Sequence, residues 1–416
     1  MVAPLHLVCR RRVAEHLGTD RFASACAKSA RGRCSASTAG RQDRESVLGN
    51  DVAAQNPRIL LAGGGTGGHL FPALAIADEG RKIEPAAELL FIGTKNKIEA
   101  RVVPQRGYPF QTIWISGLHR RLTLDNLLFP VKVAVSLVQS FVIIKRFQPD
   151  VVVGTGGYVC GPILSVATWF GIPTVLHESN SYPGFTTRLL AGRVNKVFTA
   201  FDATMKWLKR TDNVEVVGTP TRESLGIASK EDGRGFFNLD QTRKTVLVLG
   251  GSLGATSVNN AVLGSIEELL AAGIQLIWQT GQRDIERVKQ AIGSRSVGWL
   301  GAFIDRMEYA FAAADIVVCR AGATTLAELT RVGKPAILVP YPHAAADHQT
   351  HNAKAMVDGG AGLMIADADA SQKLKPAILD LLKDQRRLAR MREASLTLGK
   401  PEAGRRIAEM ILQFTR

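Results

Sequence analysis

The chain contains two copies of one local pattern, a short apolar strand that ends in a glycine turn and leads into a helical segment. The first copy has a strand at residues 59–62, the turn Gly63–His69 and a helix from Pro72; the second has Thr245–Leu249, Gly250–Gly254 and a helix over Ala255–Ala271. Further strands are predicted at Glu88–Ile92, Val151–Val153, Thr174–His177, Val214–Val217, Gln275–Gln279, Ile316–Cys319 and Ala336–Val339. Strands that alternate with helices form parallel sheets. The sequence therefore predicts an α/β protein with two doubly wound, Rossmann-like domains that face each other across a cleft.

These patterns divide the chain into successive parts. Residues 58–217 are predicted to form the first domain and residues 218–400 the second. The last helix, Glu402–Phe414, follows Pro401, and the segment 401–416 is predicted to pack back on the first domain. Residues 1–57 are rich in Arg, Ser, Ala and Gly and lack periodicity. We expect a disordered N-terminal extension there, which is either an organellar transit peptide, a dispensable leader or the result of a start codon placed too far upstream.

Composition excludes several classes of protein. No stretch reaches about 18 uninterrupted apolar residues, so no transmembrane helix is predicted. The five cysteines are scattered without a C-x-x-C pair, and Asp367-x-Asp369 is interpreted as a solvated turn, so no metal site is predicted. The chain has 52 basic and 37 acidic residues, a net charge of +15, but only 6% aromatic residues and no nucleic-acid-binding motif. We expect an anionic membrane surface or an acidic substrate as partner, and no nucleic acid.

Glycine turns in the first half of the chain point to phosphate binding. Gly63-x-Gly65-x-x-Gly68 matches the dinucleotide fingerprint, but the second strand ends in Phe91–Thr94 without the carboxylate that would hold a ribose. Backbone N–H groups at a helix start remain, which attract an anion; the alternative is a turn without a ligand. Next to this turn, His69 is a candidate neutral base, phosphate ligand or helix cap. A second turn, Gly154–Tyr158, is either another anion contact or a plain turn.

Polar residues of the second half suggest a nucleotide and a sugar. Gly250-Gly251-Ser252 offers N–H groups and a hydroxyl at a helix start, as a diphosphate requires. Glu328 lies in the first turns of a helix, where it either complements the helix dipole or accepts hydrogen bonds from ribose hydroxyls. Gln349 and Asn352 are three residues apart on one helical face, and neutral amides suit sugar hydroxyls. In the first half, His177–Asn180 follows a strand, so its side chains either point into the cleft or cap a helix.

Together these residues resemble the MurG family, the N-acetylglucosaminyltransferases of peptidoglycan synthesis. The motifs that carry the resemblance run in order from Arg58 to the C-terminus: Gly63–His69 with Leu70–Ala75, Gly156-Gly157-Tyr158, His177-Glu178-x-Asn180, Gly250-Gly251-Ser252-x-Gly254-Ala255, Phe303-Ile304-Asp305, Cys319-Arg320-x-Gly322-Ala323 and Asp347-His348-Gln349-x-x-Asn352. The chain departs from the family at Ser179, where Gln is usual, at Thr324, where Leu is usual, and at 218–222, which read Gly-Thr-Pro-Thr-Arg for Gly-Asn-Pro-Val-Arg. Since the Leu position is thought to act partly through its backbone, Thr324 should preserve function.

The resemblance implies the GT-B fold and a transfer of N-acetylglucosamine from UDP-N-acetylglucosamine to lipid I, with inversion at the anomeric carbon and no cofactor. It implies that the donor lies in the second domain, where Ile304 holds the uracil by backbone contacts with Arg222 nearby, Ser252 the diphosphate, Glu328 the ribose, and Ala323, Thr324 and Thr325 the phosphate and sugar. Asn180, Gln349 and Asn352 would surround the N-acetylglucosamine. The acceptor pyrophosphate would lie on the loops that contain Gly65, Thr66, Gly67, Gly157 and Tyr158, with His69 as the base. Another UDP-sugar transferase or an epimerase of the same fold is the alternative.

A polyprenyl-linked acceptor would also require contact with a bilayer. The segment Leu118–Gln148 combines apolar residues with Arg120, Arg121, Lys132, Lys145 and Arg146. It is too polar to span a membrane, and its alternative role is a helix that packs on the sheet. We expect peripheral association with the cytoplasmic leaflet of the inner cell membrane, with a plastid membrane as the alternative setting.

Overall fold

A computed structural model describes residues 56–117, 127–251, 254–344 and 347–415. The first part of the chain forms a seven-stranded parallel sheet of β1 (Arg58–Ala62), β2 (Glu88–Gly93), β3 (Phe110–Thr112), β4 (Val151–Gly154), β5 (Thr174–Glu178), β6 (Lys196–Thr199) and β7 (Val214–Val216), in the order β3-β2-β1-β4-β5-β6-β7. Its helices are α1 (Gly67–Ile83), α2 (Ile98–Gln105), α3 (Phe129–Phe147), α4 (Cys160–Trp169) and α5 (Phe185–Leu190), with a 3₁₀ helix at Asp202–Trp207.

The second part forms a six-stranded parallel sheet. Its strands are β8 (Lys244–Leu249), β9 (Ile274–Gln279), β10 (Gly298–Gly301), β11 (Ile316–Cys319), β12 (Ala336–Leu338) and β13 (Gly362–Met364), in the order β10-β9-β8-β11-β12-β13. Its helices are α6 (Lys230–Phe236), α7 (Thr256–Leu263), α8 (Ile266–Ala271), α9 (Ile285–Ile292), α10 (Met307–Ala313), α11 (Ala323–Val332), α12 (His348–Asp358), α13 (Ala370–Lys383), α14 (Gln385–Leu398) and α15 (Ala403–Gln413), with a 3₁₀ turn at Asp367–Asp369.

Both sheets reverse their strand order at the same place. In the first sheet β1 lies beside β4, and in the second β8 lies beside β11. Ligands of open α/β sheets bind at such a reversal, outside the carboxyl ends of the two strands. The loops that leave β1, β4, β8 and β11 carry the glycine turns singled out from the sequence. Apolar clusters cover both faces of each sheet, which fixes these strand ends in place.

The predicted fold class is confirmed, and the predicted strands are present. Four short strands, β3, β6, β10 and β13, were not predicted. Helix α1 begins at Gly67 and not at Pro72, and the predicted helix Ala255–Ala271 is two helices separated at Gly264–Ser265.

The C-terminal helix α15 packs against α1. Its Ile407, Ile411 and Leu412 are buried in the core cluster on one face of the first sheet. The domain boundaries at residues 217 and 400 stay predictions, and the expectation for residues 1–57 lies almost wholly outside the described residues. Within the described ranges, no helix is long and apolar enough to cross a membrane.

Candidate active site

His69 lies where the loops after β1 and β4 interlock. Its Nδ1 is 3.2 Å from the carbonyl oxygen of Thr155, and the Thr155 hydroxyl donates to the His69 carbonyl at 2.7 Å. Gly156 and Gly157 have φ angles of +106° and +83°, and a Cβ atom on Gly156 would overlap the His69 ring. Glycine is thus required here by backbone conformation and by space, and both requirements serve to seat the imidazole.

The surroundings of His69 favour its neutral form. Burial lowers its pKa from the ordinary value of 6.5 and outweighs the charge of Glu178 and the Thr155 carbonyl, which raise it. The Thr155 carbonyl can only accept, so Nδ1 is assigned as the protonated nitrogen and Nε2 keeps its lone pair. A neutral imidazole with a free lone pair can accept a proton from a substrate hydroxyl.

The other residues of the first turn differ in their availability. The Gly65 N–H donates to the buried Glu99 at 3.0 Å, and the Tyr158 ring lies against Gly65. Thr66 is exposed, and Gly67 is buried at the first position of α1. The Gly65 N–H therefore already has an anionic partner, and Thr66 is the residue of this group that is exposed.

A second buried carboxylate, Glu178 at the end of β5, shapes the loop that carries Asn180. One of its oxygens accepts from the Asn180 N–H and side-chain amide, both at 3.0 Å. The other accepts from the Gly184 N–H at 2.9 Å and the Thr187 hydroxyl at 2.6 Å. These four bonds fix Asn180 at the cleft edge. The sequence analysis placed Glu178 in a motif without giving it a role and did not single out Glu99, because nothing in a carboxylate's local sequence shows that it is buried.

His177 connects the first sheet to the crossing into the second part of the chain. Its Nε2 is 3.0 Å from the Gly218 carbonyl oxygen, and its side chain is fully buried. Burial lowers the pKa of His177 to about 4, so the ring is neutral at physiological pH. This histidine holds the crossing segment through the Gly218 carbonyl.

Arg222 and Glu328 form an ion pair in the second half of the site. One carboxylate oxygen of Glu328 accepts from Nη2 of Arg222 at 2.7 Å and from Nε at 3.1 Å. Glu328 is 6% exposed, and the Arg222 guanidinium also lies 5.3 Å from the ring centre of Phe71 on α1. The structure thus brings together two residues that were predicted to lie at the nucleotide, next to the N-terminal part of α1.

Gln279 links two parts of the predicted nucleotide site. Its side chain accepts from the Ile304 N–H at 2.9 Å and donates to the Gly251 carbonyl at 2.9 Å. The backbone of Ile304, predicted to contact uracil, is therefore engaged by Gln279 in this structure. Ser252, predicted to contact the diphosphate, lies outside the described residues.

The N-terminus of α11 faces the N-terminus of α1. Ala323 is buried at its first position, Thr325 is half-buried, and the Thr324 hydroxyl donates to the Gly68 carbonyl at 3.4 Å. That carbonyl is open because Pro72, four residues later in α1, has no N–H to donate to it. A threonine at a position where the family has leucine thus contacts the opposite glycine turn.

Of the three predicted sugar-binding amides, the two on α12 lie in different settings. Asn352 is fully buried; its Oδ1 accepts from the hydroxyl and N–H of Ser181 at 2.9 and 3.2 Å, and its amide donates to Ala321 at 3.3 Å. Gln349 is half-buried and accepts from the Tyr341 N–H at 2.9 Å. In this structure Asn352 therefore joins the two halves of the cleft, and Gln349 is the more accessible amide.

Asp367 corrects one expectation. It does not lie in a solvated turn, because it pairs with Arg320 at 2.5 Å and accepts from Ser257 at the start of α7 at 2.5 Å. Arg320 also donates to the Val339 carbonyl at 3.0 Å. This cluster ties the glycine turn after β8 to the loop after β11. Among the described residues no group of His, Cys, Asp and Glu could hold a metal ion.

Comparison with known proteins identifies the family. Residues 59–199 match the glycosyltransferase family 28 N-terminal domain, and residues 245–407 match the glycosyltransferase family 28 C-terminal domain.

Two relatives carry the name UDP-N-acetylglucosamine–N-acetylmuramyl-(pentapeptide) pyrophosphoryl-undecaprenol N-acetylglucosamine transferase. The one from Chlorobaculum parvum is 45% identical, over 86% of this chain and 100% of the relative. The one from Salinibacter ruber is 42% identical, over 87% of this chain and 98% of the relative. The crystal structure of Acinetobacter baumannii MurG matches with a TM-score of 0.66 and 25% identity, over 86% of this chain and 99% of that one, which confirms the GT-B fold. The chain belongs to the MurG family of N-acetylglucosamine transferases, within glycosyltransferase family 28.

Proposed function

We propose that this glycosyltransferase moves N-acetylglucosamine from UDP-N-acetylglucosamine to the C4 hydroxyl of the N-acetylmuramoyl unit of lipid I. The products are lipid II, with a β1→4 linkage, and UDP. The observation that carries the proposal is the position of His69, which is seated between two glycine turns at the strand reversal of the first sheet and keeps a free lone pair on Nε2. The proposed substrates are those in the names of the two relatives, to which this chain is 42% and 45% identical.

The reaction proceeds as a single displacement. Nε2 of His69 accepts the proton of the acceptor hydroxyl as its oxygen bonds to the anomeric carbon, and the bond from that carbon to the diphosphate oxygen breaks. Charge then grows on the departing diphosphate. We expect the N–H groups and positive dipole ends at the N-termini of α7 and α11 to stabilise that charge.

Donor recognition falls to the second sheet. Glu328 uses one oxygen for Arg222, and its second oxygen serves the ribose hydroxyls. Ile304 and Gln279 flank the uracil, Ser252 and Thr325 contact the diphosphate, and Gln349 contacts the sugar. On the acceptor side, the N–H groups at the start of α1 and at Gly157 hold the pyrophosphate.

Substitution of His69 tests the assignment of the base. In His69→Ala, kcat with UDP-N-acetylglucosamine and lipid I should fall by about 10²–10⁴, while UDP affinity measured by calorimetry stays near that of the parent. His351→Ala, an exposed histidine on α12, is the matched control and should keep full activity. A loss confined to the KM for lipid I would instead make His69 a pyrophosphate ligand and remove it as the base.

We also propose that the first part of the chain docks on an anionic bilayer. Large apolar side chains are exposed along α3 and at the end of α4, among them Val138 at 64%, Phe141 at 43% and Trp169 at 64%. Phe141 packs on Phe170 with ring centres 5.5 Å apart, and Lys145 lies 5.2 Å from the Phe170 ring. Aromatic rings beside cations suit the headgroup region of an anionic membrane.

Two details revise the sequence-based expectation for this surface. Lys132 is buried and donates to the Ser116 hydroxyl at 3.1 Å, so it does not serve a lipid headgroup. Arg120 and Arg121 lie outside the described residues. The exposed cations of α3 are Lys145 and Arg146, and they lie on the helix that carries Phe141.

Co-sedimentation with vesicles that contain anionic phospholipid tests the docking surface. The parent should bind at low salt and release at high salt, and the double variant Lys145→Glu/Arg146→Glu and the variant Trp169→Ser should bind more weakly. Ile227→Ser changes an apolar residue of similar exposure, 78%, that lies outside this surface, and should bind like the parent. Equal binding by all four proteins would refute the proposed surface.

A further inference from the structure

A buried carboxylate underlies the first glycine turn. Glu99 lies in the first turn of α2 and is completely buried. One of its oxygens accepts from the Gly65 N–H at 3.0 Å. The other accepts from the N–H and the hydroxyl of Thr94, at 3.1 and 2.8 Å. Both oxygens are thus held by donors that come from the ends of two neighbouring strands.

The chain around Glu99 is built to admit this side chain. A Cβ atom on Gly64 would come within 2.5 Å of a Glu99 carboxylate oxygen, and one on Gly93 would overlap the Glu99 side chain. Among the described residues Glu99 forms no ion pair, so only hydrogen-bond donors compensate its burial. A buried carboxylate without a cation is costly, and its hydrogen bonds act on the turn that precedes His69.

The same network reaches the second glycine turn. The Tyr158 ring packs on Gly65, the residue whose N–H donates to Glu99. The neighbouring Gly157 leaves no room for a Cβ atom between the Gly64 carbonyl and the His69 ring. A displacement of Glu99 would therefore move both turns and the imidazole between them.

We propose that Glu99 is a positioning residue that holds both acceptor-side turns in the arrangement that receives the acceptor pyrophosphate and aims His69 at the reacting hydroxyl. The inference rests on the proposed function. Because Glu99 occupies the Gly65 N–H, the pyrophosphate is left with the N–H groups at the start of α1 and at Gly157. Glu99 touches no substrate and acts through the backbone.

The amide variant Glu99→Gln separates this role from simple space filling. Glutamine has nearly the same shape but only one acceptor oxygen, and its NH₂ group can only donate. That oxygen can serve Gly65 or Thr94 but not both, because the NH₂ group would then face another N–H donor. The variant therefore keeps the packing and breaks one side of the network.

Steady-state kinetics and hydrogen exchange test the inference. In Glu99→Gln, kcat should fall and the KM for lipid I should rise, with a combined loss of about 10-fold or more, and Glu99→Ala should lose more. The KM for UDP-N-acetylglucosamine and the affinity for UDP should change by less than about twofold. Amide exchange over residues 64–69 should accelerate. Asp315→Asn, at a carboxylate just before β11 whose side chain is 9% exposed and accepts from the Thr245 N–H, is the control and should leave the acceptor parameters unchanged.

The outcomes distinguish this inference from the proposed function. Acceptor kinetics of Glu99→Gln that equal those of the parent, or equal losses in donor and acceptor parameters, would overturn the positioning role and leave the transfer reaction standing. A parent that transfers no sugar to lipid I would overturn the proposed function. In that case amide hydrogen exchange over residues 64–69 would still test whether Glu99 holds the turn. Unchanged exchange in Glu99→Gln would overturn the positioning role.

Discussion

Glu328→Gln should weaken nucleotide binding while the chain stays folded. The carboxylate is buried, gives one oxygen to two donors of Arg222, and is proposed to offer the other to the ribose. Glutamine keeps one acceptor oxygen and loses the charge. Hydrogen bonds to charged groups contribute about 1.5–3 kcal/mol each, so the loss of one ribose contact corresponds to about a 10- to 150-fold higher Kd for UDP.

The loss of stability should be limited, because the Arg222 side chain remains 21% exposed and can recover part of its hydration. We expect the free energy of unfolding to fall by about 1–3 kcal/mol, between the values for exposed and buried pairs. Calorimetric titration with UDP and urea unfolding measure the two effects. Arg222→Lys keeps a cation but removes the two-donor geometry, so it measures how much of either loss comes from the ion pair itself. An unchanged Kd in Glu328→Gln together with reduced stability would refute the ribose assignment and leave Glu328 as a structural partner of Arg222.

Three further predictions follow from individual side chains. The pKa of His69 is lowered from 6.5, and the base must be neutral to accept a proton. We therefore expect kcat to be constant around pH 7 and to fall only when the pH drops below 6.5. A pH–rate profile that still rises above pH 7 would contradict this. Gln349→Ala should raise the KM for UDP-N-acetylglucosamine by an amount that corresponds to about 1–3 kcal/mol. Its affinity for UDP, which lacks the sugar, should stay unchanged. A parallel loss of UDP affinity would show that Gln349 does not act at the sugar site. The pKa of His177 is about 4 in the fold, so between pH 6.5 and 4 the unfolded chain binds a proton that the folded chain does not, and the free energy of unfolding should decline by up to about 3 kcal/mol over this range. Urea unfolding of His177→Gln should show a shallower decline with falling pH. An identical pH dependence in the variant and the parent would contradict the lowered pKa of His177.

The sequence predicts the central strands well because they are apolar runs buried on both faces, as in β4. Strands such as β3 carry no such signal, since two of its three residues are exposed and only pairing with β2 defines it. The glycine turns could also be predicted from the sequence. Several of their glycines have positive φ angles, which other residues rarely adopt, so the fold requires glycine at these positions and the sequence shows it there.

The partners of these turns could not be read from the chain. Glu99 binds Gly65 from 34 residues away, and Asn352 binds Ser181 from 171 residues away. Each depends on which strand ends meet, and the sequence of a single segment does not encode that. For the same reason Arg320 and Asp367, separated by 47 residues, were interpreted separately, although they form one ion pair beside the proposed diphosphate site.

Product analysis tests the central claim most directly. The purified full chain is incubated with UDP-N-acetylglucosamine and lipid I in anionic vesicles, and the lipid and nucleotide products are separated and identified by mass spectrometry and NMR. We expect a lipid that has gained one N-acetylglucosamine in β1→4 linkage, with one UDP released for each sugar transferred. UDP release without a new glycolipid, or conversion of the donor to an epimeric UDP-sugar, would contradict the account.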